Sequence, residues 1–74
     1  MSYIDIIIRD PQVLVGKPII KGTRISVELI LDMLSEGATV EDILKSYPHL
    51  TSSQIYAAIE YAGAVIKNVE IFDK

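Results

Sequence analysis

The first quarter of the chain places short runs of β-branched residues between turn residues. Residues 4–8 read Ile-Asp-Ile-Ile-Ile and are followed by Arg-Asp-Pro, which is typical of a short strand that ends in a turn. A second run, Pro-Ile-Ile-Lys at residues 18–21, lies between Gly16 and Gly22 and also favours an extended conformation. Because strands of this length are marginal alone, we expect them to pair with each other or across a dimer axis.

The spacing of the apolar residues becomes helical after Ser26. Ser26 is a favourable N-cap residue, and Gly37 suits the left-handed position that follows a helix C-terminus. Between them, apolar residues recur at positions i, i+3, i+4 and i+7, namely Val27, Ile30, Leu31 and Leu34. This pattern predicts a first helix with an acidic side that faces solvent.

A second helix is predicted from Thr39 to Tyr47. Thr39 can cap its first turn, and Glu41 and Asp42 suit the positive end of the helix dipole. The same apolar spacing recurs at Val40, Ile43, Leu44 and Tyr47. Pro48 ends the helix because it has no N–H to donate.

The third helix begins at Thr51, and Gln54 three residues later completes a capping box. The apolar side of this helix consists of Ile55, Ala58, Ile59, Ala62, Val65, Ile66 and Val69. Gly63 costs about 1 kcal/mol relative to Ala inside a helix. We therefore expect the helix to bend or end there, or another helix to pack closely against it.

The helix at 39–47, the turn at 48–50 and the helix at 51–62 have the layout of a helix-turn-helix. We predict a mainly α, single-domain fold over residues 1–74, in which a three-helix helix-turn-helix body spans residues 26–67. One or two short strands and a basic turn segment precede it in residues 1–25, and a tail follows at 68–74. Two short helices joined by a proline turn also occur in bundles that bind no nucleic acid.

The composition adds an expectation about assembly and location. Half of the 74 residues are apolar, which is rich for so small a domain, and we expect a homodimer that buries part of this surface. The absence of cysteine excludes a disulfide framework and a thiolate metal site. No run of 18 apolar residues is present, so we expect a cytoplasmic protein without a membrane partner.

Catalytic chemistry has little support in the sequence. His49 is the one histidine, it falls in a predicted turn, and no cysteine accompanies it. A nucleophile needs a buried, oriented base, and a metal site needs further ligands that converge. We expect no enzyme activity, no catalytic residues, no metal site and no cofactor.

The net charge of −3 conceals an uneven distribution. Residues 9–24 contain four bases against one acid, whereas residues 25–74 contain three bases against eight acids. The basic segment is the part that an anionic partner would contact. The alternative is a cationic loop that faces solvent and binds nothing.

In a helix-turn-helix, the first turn of the second helix enters the major groove of DNA. The side chains available there to contact bases are Ser52, Ser53, Gln54 and Tyr56. The candidates for phosphate contacts are Lys17, Lys21, Arg24 and Thr51. Arg24 has an equally favoured alternative, an ion pair with Glu28 or Asp32. Helix 51–62 contains no Lys or Arg, although phosphate neutralisation dominates affinity for DNA.

A specific string supports the DNA-binding interpretation. Residues 16–25 match G-K-P-x-I-x-G-T-R-I, and Leu-Ile-Leu-Asp-Met-Leu, Glu-Asp-Ile-Leu and Tyr-Pro-His-Leu-Thr follow at residues 29–34, 41–44 and 47–51. Over residues 4–62 the chain resembles a small prokaryotic family, long labelled a domain of unknown function and now described as antitoxins of type II toxin–antitoxin systems. The resemblance implies a homeodomain-like helix-turn-helix, repression of its own promoter and a PIN-domain ribonuclease toxin as partner. Little sequence follows Lys67, so we expect no long tail that wraps a toxin.

Two functions remain open at this point. The first is a DNA-binding antitoxin that regulates transcription of its own operon. The second is a helical dimer that does not bind DNA and instead contacts a partner enzyme through its acidic helical face.

Overall fold

The computed structural model describes residues 3–69, and for residue 69 it describes the backbone only. The elements in chain order are β1 (Ile7–Arg9), β2 (Pro18–Ile20), α1 (Val27–Ser35), α2 (Val40–Ser46) and α3 (Ser52–Val69). Single 3-10 turns at Tyr3–Asp5 and Leu14–Gly16 precede the two strands. The fold is compact and mostly helical, with three helices and a two-stranded antiparallel sheet.

The two strands pair with each other within the chain. They run antiparallel, and Ile7 lies opposite the buried Ile20. The first strand lies at residues 7–9 rather than 4–8, because the N–H of Ile6 donates to the carbonyl of Tyr3 at 2.9 Å. This hydrogen bond belongs to the 3-10 turn that occupies the start of the predicted strand.

The first helix has the ends that the sequence predicts. Ser26 Oγ accepts the N–H of Leu29 at 2.9 Å, which satisfies one of the donors left free at a helix N-terminus. At the other end Gly37 has a φ of 101°, a conformation that a side chain would oppose. Ser26 also forms an antiparallel bridge with Ile19, which joins the start of α1 to the sheet.

Capping boxes begin the other two helices. The side chain of Thr39 accepts the N–H of Asp42 at 3.0 Å, and the Asp42 carboxylate accepts the N–H of Thr39 at 2.9 Å. Thr51 and Gln54 make the same reciprocal contacts at 3.3 and 2.8 Å. The predicted box at Thr51 is therefore confirmed, and the cap at Thr39 is more complete than the sequence indicated.

The third helix is longer than predicted. It continues through Gly63 to Val69, so of the alternatives expected at Gly63 an end of the helix is wrong. Apart from the neighbouring backbone of α3 itself, no atom lies within 4 Å of the position that a Cβ on Gly63 would occupy, so no other described element packs closely there either. Positions 68 and 69 of the predicted tail belong to α3, and positions 70–74 lie outside the described residues.

Isoleucine dominates the core. The largest fully buried side chains are Ile19, Ile20, Ile30, Ile43 and Ile55. All but Ile19 meet in one cluster, to which β2 and each of the three helices contribute a residue. Ala57 and Ala58 present small buried side chains on α3 within the same cluster. Within residues 3–69, no helix is long and apolar enough to cross a bilayer.

Candidate nucleic-acid interface

The first two turns of α3 expose most of the side chains predicted to contact bases. Ser52 and Ser53 are exposed, and Tyr56 is 59% exposed. Ser53 and Tyr56 lie on one face of α3, where with Ala57 and Glu60 they line a shallow depression of about 270 Å³. This face offers hydroxyl groups and an aromatic ring, and its one charged group is the Glu60 carboxylate.

Thr51 and Gln54 are already engaged in the capping box that begins α3. The amide oxygen of Gln54 accepts the N–H of Thr51 at 2.8 Å, and the side chain of Gln54 is half-buried. Bidentate binding of adenine uses both the oxygen and the nitrogen of a glutamine amide. Base contact by Gln54 would therefore compete with the cap, whereas Ser52, Ser53 and Tyr56 carry no such constraint.

Lys17 is paired rather than free. Its Nζ donates to Glu28 Oε1 at 2.8 Å. This hydrogen bond, followed by the charge of the carboxylate, raises the pKa of Lys17 above its usual value and lowers the pKa of Glu28. The sequence suggested Arg24 as the partner of Glu28 or Asp32. Within residues 3–69, neither acid pairs with Arg24.

Lys21 and Arg24 lie together on the exposed turn between β2 and α1. Thr23 holds this turn: its hydroxyl donates to the carbonyl of Ile20 at 2.7 Å and accepts the N–H of Ile25 at 3.0 Å. Gly22, with a φ of 82°, provides the left-handed position the turn requires. Neither cationic side chain makes a hydrogen bond or ion pair within the described part of the chain. The turn therefore presents two free positive charges to solvent.

The predicted phosphate and base contacts thus fall into separate groups. Lys21 and Arg24 share the turn before α1, Lys17 is held by α1 itself, and Ser53 and Tyr56 share a face of α3. No hydrogen bond connects these groups within residues 3–69. A single duplex would have to bridge these groups to use them as one interface.

Arg9, the remaining base of the basic segment at residues 9–24, has a structural role that the sequence did not indicate. Arg9 Nη2 donates to the hydroxyl of Tyr61 at 3.2 Å. The Tyr61 ring meets Tyr3 edge to face, with ring centroids 5.5 Å apart. These contacts tie the N-terminal turn and β1 to the middle of α3.

A second concave surface, which includes Tyr61 in its lining, lies between the hairpin, α1 and α3. It has a volume of about 360 Å³. Its apolar lining comes from Pro18, Val27, Leu31, Ala62, Val65 and Ile66, and its polar lining from Arg9, Glu28, Asp32 and Tyr61. We call this surface the apolar cleft. No local sequence pattern predicts this cleft, because its lining residues come from distant parts of the chain.

His49 lies exposed in the turn before α3, where its ring meets Tyr47 at a centroid distance of 6.5 Å. Across residues 3–69, no group of three or more His, Asp or Glu side chains could hold a metal ion.

Comparison with known proteins places the chain in a family. A family model described as a protein of unknown function, DUF433, matches residues 7–62, which is most of the chain. The chain belongs to the DUF433 family. The match runs from β1 to Ala62 and so includes the signature string, the free cations and the exposed first turn of α3. The last two turns of α3 lie beyond it.

A relative of this DUF433 chain is an uncharacterized protein, y4eO, of Sinorhizobium fredii. The two are 33% identical over 60 residues, which is 81% of this chain and 27% of the relative. The chain thus spans about a quarter of the length of that relative. No solved structure matches the chain.

Proposed function

We propose that this DUF433 chain is a DNA-binding transcriptional regulator that acts as the antitoxin of a toxin–antitoxin pair. In this proposal α2, the turn at 47–51 and α3 form a homeodomain-like helix-turn-helix, with α3 in the major groove. The family resemblance of the signature string supports the antitoxin role. The remaining support comes from the exposed side chains of α3 and of the turn before α1.

The observation that carries the DNA-binding part is the exposed start of α3. Ser52, Ser53 and Tyr56 face solvent on the first two turns of a helix that is capped and anchored by the buried Ile55. Side chains at the start of a recognition helix are the ones that reach base edges. Serine hydroxyls bind either donors or acceptors on bases, which suits them to such contacts.

Lys21 and Arg24 supply the positive charge for phosphate contacts that the start of α3 lacks. Affinity for DNA arises mainly from neutralised phosphates, and α3 has no base before Lys67. Lys21 and Arg24 are the cations of the segment that are not engaged elsewhere in residues 3–69. In a dimer there would be four such charges, which would offset the single Glu60 of each base-reading face.

A mobility-shift titration on the promoter of the chain's own operon tests the proposal. We expect specific retardation that weakens as salt rises. Ser53→Glu places a negative charge on the exposed start of α3 and should abolish the shift. Ser35→Glu, the same change at the exposed end of α1, is the matched control and should leave it intact. A free probe at low salt with the unmodified chain would reject DNA binding.

The antitoxin part has its own test. The product of the reading frame next to the operon should inhibit growth when expressed alone, and co-expression of this chain should relieve the inhibition. If the resemblance holds, that product is a PIN-domain ribonuclease. Growth inhibition that persists at excess of this chain would remove the antitoxin role and leave the regulatory role in place.

A second candidate function has a specific observation in its favour. Glu28, Asp32 and Glu36 form an exposed acidic stripe along α1, one turn apart. Such a stripe suits a protein partner with a basic surface. On this alternative the chain is an interaction module for a partner enzyme. Complex formation with the neighbouring gene product, lost in Asp32→Lys and Glu36→Lys but retained in Ser53→Glu, would favour it.

A further inference from the structure

The apolar face of α3 continues beyond the point where the core ends. Ile55 and Ala58 are buried, and Ala62 is the last α3 residue that packs against the core cluster. One turn later on the same side, Val65 is 40% exposed and Ile66 is 67% exposed. An amphipathic helix buries its apolar side against something, and here the described chain provides no cover for it.

These exposed side chains form one wall of the apolar cleft. The rest of its apolar lining comes from Val27 and Leu31 on α1, Ala62 on α3 and Pro18 in the hairpin. The cleft is therefore a groove bounded by an apolar helical ridge made of Val65 and Ile66. A groove and a ridge side by side on one face suit a two-fold dimer, because the ridge of each copy can lie in the groove of the other.

The charged side chains near the cleft also lie on two elements, with acids on α1 and a base on α3. Asp32 and Glu28 lie on the α1 wall, and Lys67 follows Ile66 on the ridge. Asp32 and Lys67 make no ion pair within residues 3–69.

We propose that the apolar cleft is a homodimer interface in which the α3 ridge of each copy lies in the cleft of the other. Ile66 is the central contact, Val65 and Leu31 surround it, and Lys67 of one copy faces Asp32 of the second. The inference does not depend on DNA binding, although a dimer would present two α3 N-termini to a duplex.

The character of the rim favours a second copy over an unrelated partner. Among the charged groups of the cleft lining, Arg9 balances Asp32, and Glu28 is neutralised by Lys17, so the rim has no excess of either sign. A partner recognised by charge would be matched by an unbalanced rim. A balanced rim beside an apolar ridge complements itself. The high apolar content of so short a chain, 50%, agrees with burial between copies.

Sedimentation equilibrium of the full chain tests the proposal. Since the cleft is small, we expect dissociation constants on the order of micromolar, with the mass rising from 8.2 kDa to twice that value as concentration increases. Ile66→Asp should weaken dimerisation by roughly tenfold or more, because it would bury a carboxylate in an apolar contact. Val15→Asp makes a similar change at a side chain that is 93% exposed and does not line the cleft, and it should leave dimerisation unchanged.

Two further measurements test the interface even if Ile66→Asp does not fold. Methyl NMR signals of Val65, Ile66 and Leu31 in the unmodified chain should shift with protein concentration, while that of Val15 stays constant. Asp32→Lys and Lys67→Asp should each weaken dimerisation, and together they should restore it. A monomer at every concentration would overturn the proposal. A dimer whose mass and methyl shifts ignore Ile66 would overturn it equally.

Discussion

Lys17 Nζ and Glu28 Oε1 lie 2.8 Å apart, in an ion pair that links the residue before β2 to the first turn of α1. Both side chains are more than half exposed, so the pair contributes little to stability. Its importance is that it distinguishes Lys17 from Lys21, which has no such partner within residues 3–69. The two lysines of the signature string are therefore not equivalent as phosphate ligands.

The salt dependence of DNA binding should show this difference. Lys21→Ala should reduce the slope of log K against log salt by about one unit, because one phosphate contact is lost. Lys17→Ala should reduce it by clearly less, since Glu28 already neutralises this cation. Fluorescence anisotropy with a promoter duplex at several salt concentrations measures both slopes. Equal losses for the two variants would show that the ion pair opens on binding.

Substitution of Glu28 tests whether this acid keeps Lys17 from contacting phosphate. Glu28→Gln releases Lys17 and removes a negative charge, so we expect tighter DNA binding and a slope that steepens by up to about one unit. Glu36→Gln removes an equal charge from the far end of α1 and is the control. If both variants strengthen binding equally, the effect is one of net charge alone.

Val15 occupies a backbone conformation that β-branched residues avoid. It has a φ of 57° between Leu14 and Gly16, which also have positive φ, and its side chain is 93% exposed. Because no packing repays the strain, Val15→Asn should raise the free energy of unfolding by about 1 kcal/mol. Urea denaturation followed by circular dichroism measures the change.

The neighbouring glycine provides a change of opposite sign. Gly16 has a φ of 78°, and Gly16→Ala should lower the free energy of unfolding by about 1 kcal/mol. A loss of stability in Val15→Asn would mean that the valine side chain has a partner, most directly a second molecule.

The turn at residues 14–16 also shows where inference from sequence ends. Caps and periodicity are local, so Ser26, Thr51 and the apolar spacing of α1 were sufficient to predict the helices and their starts. The left-handed turn at Leu14 and Val15 runs against the local preference of both residues, so nothing in the sequence predicts it. In the same way Gly63 marks a local weakness in helix propensity, yet the helix continues through it to Val69.

The candidate site also has a part that the sequence predicts and a part that it does not. Exposure of Ser53 and Tyr56 follows from the helical period, because they lie opposite the core side of α3. Pairing between Lys17 and Glu28, or between Arg9 and Tyr61, depends on how the hairpin docks on the helices. Residues 52 apart in sequence leave no local signal of such a contact. The apolar cleft, built from three elements, was unpredictable for the same reason.

Stability should depend on pH through the capping box of α2. Hydrogen bonds from the backbone and then the side chain of Thr39 lower the pKa of Asp42. A carboxyl group whose pKa is lowered by folding stabilises the folded state above its unfolded pKa, about 3.9. This stabilisation is lost as the pH falls through the lower folded value. Asp42→Asn should therefore be less stable than the unmodified chain at pH 7, and the difference should shrink below about pH 4.

The adjacent acid gives the control for this experiment. Glu41→Gln removes the same charge from the same helix turn, but Glu41 makes no side-chain hydrogen bond within residues 3–69. Its effect at pH 7 should be smaller, reflecting the helix dipole alone. Equal effects of the two substitutions in thermal unfolding would assign the stabilisation to the dipole and not to the box.

Gly63 gives the sharpest test of the length of α3. It is exposed, it lies in the interior of an 18-residue helix, and no atom outside the neighbouring helix backbone is within 4 Å of the position a Cβ would take. Gly63→Ala should therefore stabilise the chain by about 1 kcal/mol, the difference in helix propensity between the two residues. Gly37→Ala should destabilise it by a similar amount, because Gly37 has a φ of 101°. Thermal unfolding at low protein concentration measures both changes in the monomer. If Gly63→Ala instead lowers the melting temperature, and does so more strongly as the protein is concentrated, a second molecule packs directly against this glycine.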